Sequence, residues 1–339
     1  MAIPYRVRRT LQRVGLVALV IALIALVIWL CWMLWLDRFV IYTRNNGAQL
    51  DFSNSSLNIA GQPATEPPQQ ETVPIYYNEG ENQLNVSKEL VQMVGYYVTQ
   101  QDLETDIAAI RPQLQKLEKS TPVMIDVKSY KGDFFYSSTL SDNRNSKIDP
   151  AAMDELLEYL QLSDMYAIAH LPGLRDFDYG LNHVSDGLPT AGGYLWMDDD
   201  RCYWLNPSSQ GTITYLVSII TELKSLGFDE VVFEDFRFPD TTQIVFKNDR
   251  AEALTAAAQL LVDTCTGDNF AVSFVGAQDF PLPTGRSRLY VTGATAADAA
   301  SVASQTGLEN PAVNLVFLTD LHDTRFDVYS VLRPLSGAH

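Results

Sequence analysis

Hydrophobic and polar positions follow two alternating rhythms over most of this chain. From Glu89 onward, short apolar runs exchange with segments in which apolar residues recur every three or four positions, and the exchange predicts strand–helix units. The clearest unit lies between Tyr203 and Asp240. Asn206 suits a helix N-cap and Pro207 the first helical position, where its missing N–H costs nothing. Ile213, Leu216, Val217, Ile220 and Leu223 then form one stripe, and Gly227 suits the left-handed residue that ends a helix. Val231, Val232 and Phe233 read as a strand covered on both faces, and Glu234, Asp235 and Arg237 stand where it runs out.

The same rhythm predicts strands over Val91–Thr99, Pro122–Lys128, Tyr166–Leu171, Phe270–Val275, Arg288–Thr292, Val313–Thr319 and Phe326–Leu332. Helical patterns fall over Leu103–Lys119, after the Asp149-Pro150 cap with Met153, Leu156, Leu157 and Leu160 inward, over Arg250–Thr264, and over Ala296–Gln305. Eight strands in about 250 residues predict an α/β fold, a (β/α)8 TIM-like barrel, irregular in its second half where the helices are short. No Gly-x-Gly-x-x-Gly follows the first strand, which argues against a dinucleotide site. The long stretch from Pro172 to Arg201 lies between a strand and the next helix, on the side where barrels build their sites.

Upstream the pattern changes character. Val14–Leu36 is 23 residues without a charge, long enough to cross a bilayer, with Trp29, Trp32 and Trp35 crowding its far end. Arg6, Arg8, Arg9 and Arg13 precede it, so residues 1–13 are expected in the cytoplasm and the rest outside. Residues 14–36 are therefore expected to form a single-pass signal anchor in the cell membrane, in contact with lipid. Residues 37–88, rich in Pro, Gln, Asn and Glu, read as a largely disordered stalk, with the extracytoplasmic barrel over 89–339.

Composition narrows the function. The formal net charge is −17, and twenty basic against forty acidic residues follow Asp37. A surface that acidic repels phosphate backbones and argues against nucleic acid. Cys202 and Cys265 are open to either a disulfide or two free thiols. His170, His183 and His322 show no metal-ligand spacing, and Asp198-Asp199-Asp200 lacks an EF-hand pattern, so no metal or cofactor is expected. No Gly-x-Ser-x-Gly elbow supports a serine hydrolase.

Strand alternation then sorts the candidate chemistry. On the second strand Met124, Asp126 and Lys128 share a face, opposite the aliphatic Val123, Ile125 and Val127. Asp126 and Lys128 therefore point into the barrel, as an ion pair or as part of a site. On the fourth strand Glu234 shares a face with Val232, and Asp235 shares the other with Arg237. Glu234 is the inward acid near the carboxyl end, while Asp235 pairs with Arg237 or caps the following segment. Hydrolysis of a glycosidic bond ordinarily needs two carboxyls. By barrel order the partner of Glu234 is Asp279, with Asp126, Asp176 and Asp320 as alternatives at other strand ends. Tyr130, Tyr179, Trp196, Trp204 and Phe236 are aromatics near these ends that suit stacking on sugar rings.

Four stretches, VMIDVKSYKG from Val123, YAIAHLPGLRD from Tyr166, WLNP from Trp204 and LGFDEVVFEDFRFP from Leu226, occur in that order. Together they resemble the bacterial putative glycoside hydrolase domain family, barrels related to the alpha-amylase superfamily. The resemblance spans most of Val91–Pro239 and implies an extracytoplasmic (β/α)8 barrel acting on, or binding, a polysaccharide or cell-wall glycan. The family usually has Asp-Tyr where this chain has Glu234-Asp235, Arg where it has His170, and an Asp where its fifth strand has Val275. The expectation is thus a glycoside hydrolase with Glu234 as the essential acid and Asp279 or Asp126 as its partner. Lys128, His170, Asp176, Trp204, Asn206, Asp235 and Arg237 are the expected substrate contacts. The rival expectation is a non-catalytic glycan- or wall-binding barrel that has lost one carboxylate.

Overall fold

A computed structural model of the chain describes residues 40–43, 47–50, 90–267, 269–276 and 280–337. The expected membrane anchor, residues 14–36, lies outside the described residues, as does Asp279; no described helix is long and apolar enough to cross a membrane. The chain divides into two compact units, Met1–Gly80 and Glu81–His339. In the first, within the stretch read as a stalk, Val40–Thr43 pairs antiparallel with Gly47–Leu50.

The second unit is a closed barrel of eight parallel strands. They are β1 (Val94–Val98), β2 (Pro122–Asp126), β3 (Tyr166–Pro172), β4 (Glu230–Glu234), β5 (Ala271–Val275), β6 (Leu289–Thr292), β7 (Leu315–Leu318) and β8 (Ser330–Pro334). Each pairs with its sequence neighbour, and β8 closes the ring on β1 with Val331 opposite Val94. The helices are α1 (Gln100–Asp106), α2 (Ile110–Leu114), α3 (Pro150–Leu162), α4 (Phe177–Asn182), α5 (Gln210–Ser225), α6 (Arg250–Cys265), α7 (Ala299–Gln305) and α8 (Pro311–Asn314). The second half is irregular as expected: β6 and β7 have four residues each, and α7 and α8 have seven and four.

Two apolar layers follow from strand alternation. Val123, Ile125, Ala167, Ala169, Val231, Phe233, Val272 and Phe274 face the helices and join one large core. Met124, Ile168, Val232, Tyr290, Val316 and Leu332 fill the lumen. The aliphatic set of β2 therefore faces outward and Met124 inward. Gly95 sits where β1 crowds β2: an added Cβ there would lie 2.1 Å from the Pro122 carbonyl oxygen.

Local signals explain most helix ends. Thr99 and Asp102 form a reciprocal capping box at α1. Asp149 caps α3 with Pro150 in its first turn, and Met153, Leu156, Leu157 and Leu160 are all buried. Gly227, at φ +88°, follows α5 in the left-handed region. The start of α5 differs from expectation. Asn206 Oδ1 accepts from the Ser208 N–H in a turn, and the helix begins only after Ser209. The expected helix over Leu103–Lys119 is broken into α1, a 3-10 turn at Ile107–Ala109, and α2. The β3–α5 connection folds back on itself through single bridges, Arg175 with Trp204, Gly187 with Leu205 and Met197 with Tyr203.

Candidate active site

Three side chains from adjacent strands meet at the carboxyl end of the barrel. Asp126 ends β2, His170 lies near the end of β3, and Glu234 ends β4. Register places Asp126 opposite His170 and Glu234 opposite Pro172. Asp126 Oδ2 accepts the Gln100 N–H at 2.6 Å, which fixes the carboxylate against the first turn of α1. Its Oδ1 lies 2.6 Å from His170 Nδ1. An ionised carboxylate only accepts, so Nδ1 carries the proton and the ring is oriented with Nε2 toward the mouth. Nε2 stands 3.9 Å from Glu234 Oε2. The path across the imidazole caps the distance between the two carboxylates at about 9 Å, within the roughly 5–9.5 Å over which paired carboxyls work in glycoside hydrolysis.

Burial grades along this chain of groups. The His170 ring is 13% exposed, Asp126 is 22% exposed, and Glu234 is 50% exposed. Among the described residues Glu234 has no side-chain hydrogen bond, only the ionic approach of His170. Desolvation pushes its carboxyl above the usual range; the neighbouring negative charges of Asp235 and Asp126 add to this, while His170 and Arg175 oppose it. For His170, burial pulls the ring down. The Asp126 hydrogen bond and charge, followed by Glu234 and Asp235, outweigh it and leave the ring above its ordinary value. A carboxyl inclined to hold its proton and an imidazole inclined to stay charged suit acid chemistry at an open mouth.

Asp235 turns away from this face. It adopts φ +50°, a conformation Asp tolerates, and thereby ends β4. Its carboxylate pairs with Arg237 at 3.3 Å, as alternation suggested, and with Arg175 at 3.8 Å. Arg175 was not singled out by sequence. Its Nε donates to Asp198 Oδ2 at 2.7 Å, its Nη2 donates to Asp200 Oδ2 at 2.6 Å, and its guanidinium covers the Tyr130 ring at 4.3 Å. The acidic run at 198–200 is thus partly neutralised, and no group of metal-ligating side chains occurs among the described residues. The one available hint was a lone arginine 23 residues before three consecutive aspartates.

Other expected site residues have structural work. Lys128 lies past the end of β2 and pairs with Asp176 rather than Asp126, at 2.6 Å, with both side chains 1% exposed. Tyr215 also donates to Asp176 at 2.8 Å, and Asp176 caps α4 through the Tyr179 N–H. Both side chains are thus committed to partners inside the wall. Trp204 is buried, donates its indole N–H to Asp198 at 3.0 Å, and lies under Arg237 at 5.1 Å, so it braces the mouth instead of lining it. Asn206 is engaged in its turn, and Phe236 is buried. Asp320 follows β7, where its charge helps raise the Tyr97 hydroxyl after desolvation. On β5 the inward position is Val275, packed against the lumen residues. Cys202 and Cys265 are buried free thiols.

The closed parallel barrel with acids at the carboxyl ends of its strands defines the class of protein, and sequence comparison names the family. The chain belongs to the family described as "Putative glycosyl hydrolase domain", which matches residues 95–266. No curated protein matches the sequence. Among solved structures, the alpha-galactosidase from Lactobacillus brevis is similar at a TM-score of 0.51 and 11% identity, over 73% of this chain and 38% of that one. The GH36 alpha-galactosidase AgaA from Geobacillus stearothermophilus, in complex with raffinose, gives 0.50 and 12% over 73% and 39%. A hypothetical protein from Ruminiclostridium thermocellum gives 0.44 and 20% over 53% and 96%. At such identities the likeness to the two galactosidases is one of fold, and this chain spans about two fifths of each.

Proposed function

We propose that the chain hydrolyses glycosidic bonds in an extracellular or cell-wall polysaccharide, held at the membrane surface by residues 14–36. The carrying observation is the line Asp126–His170–Glu234 across the barrel mouth, with the most accessible carboxyl also the one pushed toward its protonated form. In this reading Glu234 gives its proton to the leaving glycosidic oxygen. Asp126 is the second carboxylate, facing the anomeric centre or the water that attacks it, and His170 holds it in place. As the glycosidic bond breaks, the leaving group takes the Glu234 proton, the anomeric carbon takes the water oxygen and Asp126 takes the water proton. Exchange with solvent then returns a proton to Glu234 and removes the one on Asp126, which restores the starting state. Because Glu234 must be protonated, activity falls as pH rises through its elevated value.

A second reading has its own support. The inward end of β5 presents Val275 where the resembling family carries an acid, which favours a barrel that binds glycan without cleaving it. One experiment separates the two. The full chain is screened for reducing-sugar release and for binding on cell-wall and plant polysaccharides, beside Glu234→Gln. Hydrolysis predicts release by the wild type, lowered about 10²–10⁴-fold in the variant at unchanged melting temperature. Turnover equal to wild type in Glu234→Gln sinks the assignment of Glu234; binding without release in the wild type makes this a glycan-binding barrel. Deleting residues 14–36 should move the protein from the membrane fraction to the supernatant.

A further inference from the structure

The β3–α4 segment grips the end of β4 more tightly than a loop needs to. The Gly173 N–H donates to the Glu234 carbonyl at 2.7 Å, and the Leu174 N–H reaches the Asp235 carbonyl at 3.4 Å. An added Cβ on Gly173 would lie 3.0 Å from the Phe236 ring, so any larger residue would push that ring back by a few tenths of an ångström. Arg175 comes next, and its planar head meets a different group at each site. Nε holds Asp198, Nη2 holds Asp200, Nη1 faces Asp235 at 3.8 Å, and the flat face rests on Tyr130. Asp198 is itself fixed by the Cys202 N–H at 2.8 Å and the Trp204 indole at 3.0 Å. The Arg175 side chain, only 16% exposed, therefore joins two loops of the mouth, around Tyr130 and around Asp198–Asp200, to the residue beside Glu234.

We infer that Arg175 is a positioning residue: its fork locks the 198–205 arm to the end of β4 and so fixes where Asp235, and with it Glu234, stands relative to His170. This rests on the reading of Glu234 as the reacting acid. The shape matters as much as the charge. A lysine brings one point cation on a flexible stem and has no way to hold Asp198, Asp200 and Asp235 from separate edges while stacking on Tyr130. The electrostatic arrangement agrees, since Asp235 contributes to the elevation of His170 and Arg175 opposes that of Glu234.

The test is a double-mutant cycle read on His170 by NMR titration of the full chain, whose four histidines make its ring signal assignable with His170→Gln. In the wild-type background, Asp235→Asn should lower the His170 midpoint. In the Arg175→Lys background, which keeps the charge and loses the fork, the same change should have less than half that effect. An undiminished Asp235→Asn shift in the lysine background overturns the inference, because Asp235 then stays in place without Arg175. Should Arg175→Lys fail to fold, Asp198→Asn, which frees one arm of the fork, serves as the second background with the same two outcomes. A kinetic arm uses the polysaccharide cleaved by the wild type: Arg175→Lys should lower kcat about tenfold with KM nearly unchanged, as a misplaced acid does. Absence of wild-type cleavage overturns the hydrolase reading alone, and the titration still decides the role of Arg175.

Discussion

Glu230 and Glu234 leave the same face of β4, about 13 Å apart, and meet opposite environments. Glu230 is fully buried in the lumen at the amino end. Its carboxylate is paired with Arg288 and accepts from Tyr166 at 2.9 Å, Ser273 at 2.5 Å and Tyr290 at 3.0 Å. Arg288 in turn donates to the carbonyls of Val91 and Val313. Every lone pair there has a neighbour, so the cluster is closed. Glu234 has half its surface open and one charged neighbour at 3.9 Å. The same residue type on one strand is a structural tie at one end and a reactive candidate at the other, and what differs is how completely its partners satisfy it.

That contrast can be broken first at its buried end. Arg288→Met leaves Glu230 uncompensated and should cost about 3–5 kcal/mol of unfolding free energy in urea titration, enough to threaten the fold. An effect below about 1 kcal/mol would mean the lumen cluster is not what holds that end. Lys128→Met should destabilise by about 3 kcal/mol for the same reason, since Asp176 would be left buried beside Tyr215. Glu234→Gln should instead leave stability within about 0.5 kcal/mol, because an accessible carboxylate that makes no side-chain hydrogen bond among the described residues has little to lose.

Titration sharpens the open end. The His170 midpoint should fall in both Asp126→Asn and Glu234→Gln, and further in the former, because Asp126 contributes both a hydrogen bond and a charge. Equal shifts would contradict the 2.6 Å contact. The elevated ring also links pH to folding. Its contribution is fully present below its ordinary value of 6.5 and is lost as pH rises through the higher folded value. Glu234, raised above 4.5, has the same sign, its contribution present below 4.5 and lost as pH rises through the folded value. The smallest expected effect is therefore a shallower fall in stability from mildly acidic to neutral pH in Glu234→Gln than in the wild type, measured by thermal melts.

Sequence periodicity carried the barrel a long way and the mouth only part of it. All eight strands are present near their expected positions because each buried run is bracketed by Gly, Pro or charge. The last strand moved from Phe326–Leu332 to Ser330–Pro334 because Phe326 is buried in the preceding turn, which an apolar count cannot distinguish from a strand. Alternation placed Asp126 and Glu234 inward correctly, since both lie within regular strands. It failed for Lys128, two residues past the end of β2, where the period of two no longer holds. Trp204 looked available because sequence shows type and not burial, and Asn206 because its half-buried amide accepts from its own turn instead of capping the helix. Arg175 escaped because its partners are 23, 25 and 60 residues away on loops with no period to betray them.

The closure of β8 on β1 also constrains how the molecule is made. Val331 must find Val94, so the ring is sealed only when the last of its eight strands has been synthesised. The family match, ending at 266, contains only the first four strands, and a nascent chain of that length has two unpaired strand edges and a lumen open along one side. Until the final strand arrives, that half-cylinder is an adhesive intermediate, and a nonsense codon anywhere before Ser330 should yield aggregate instead of a smaller folded barrel.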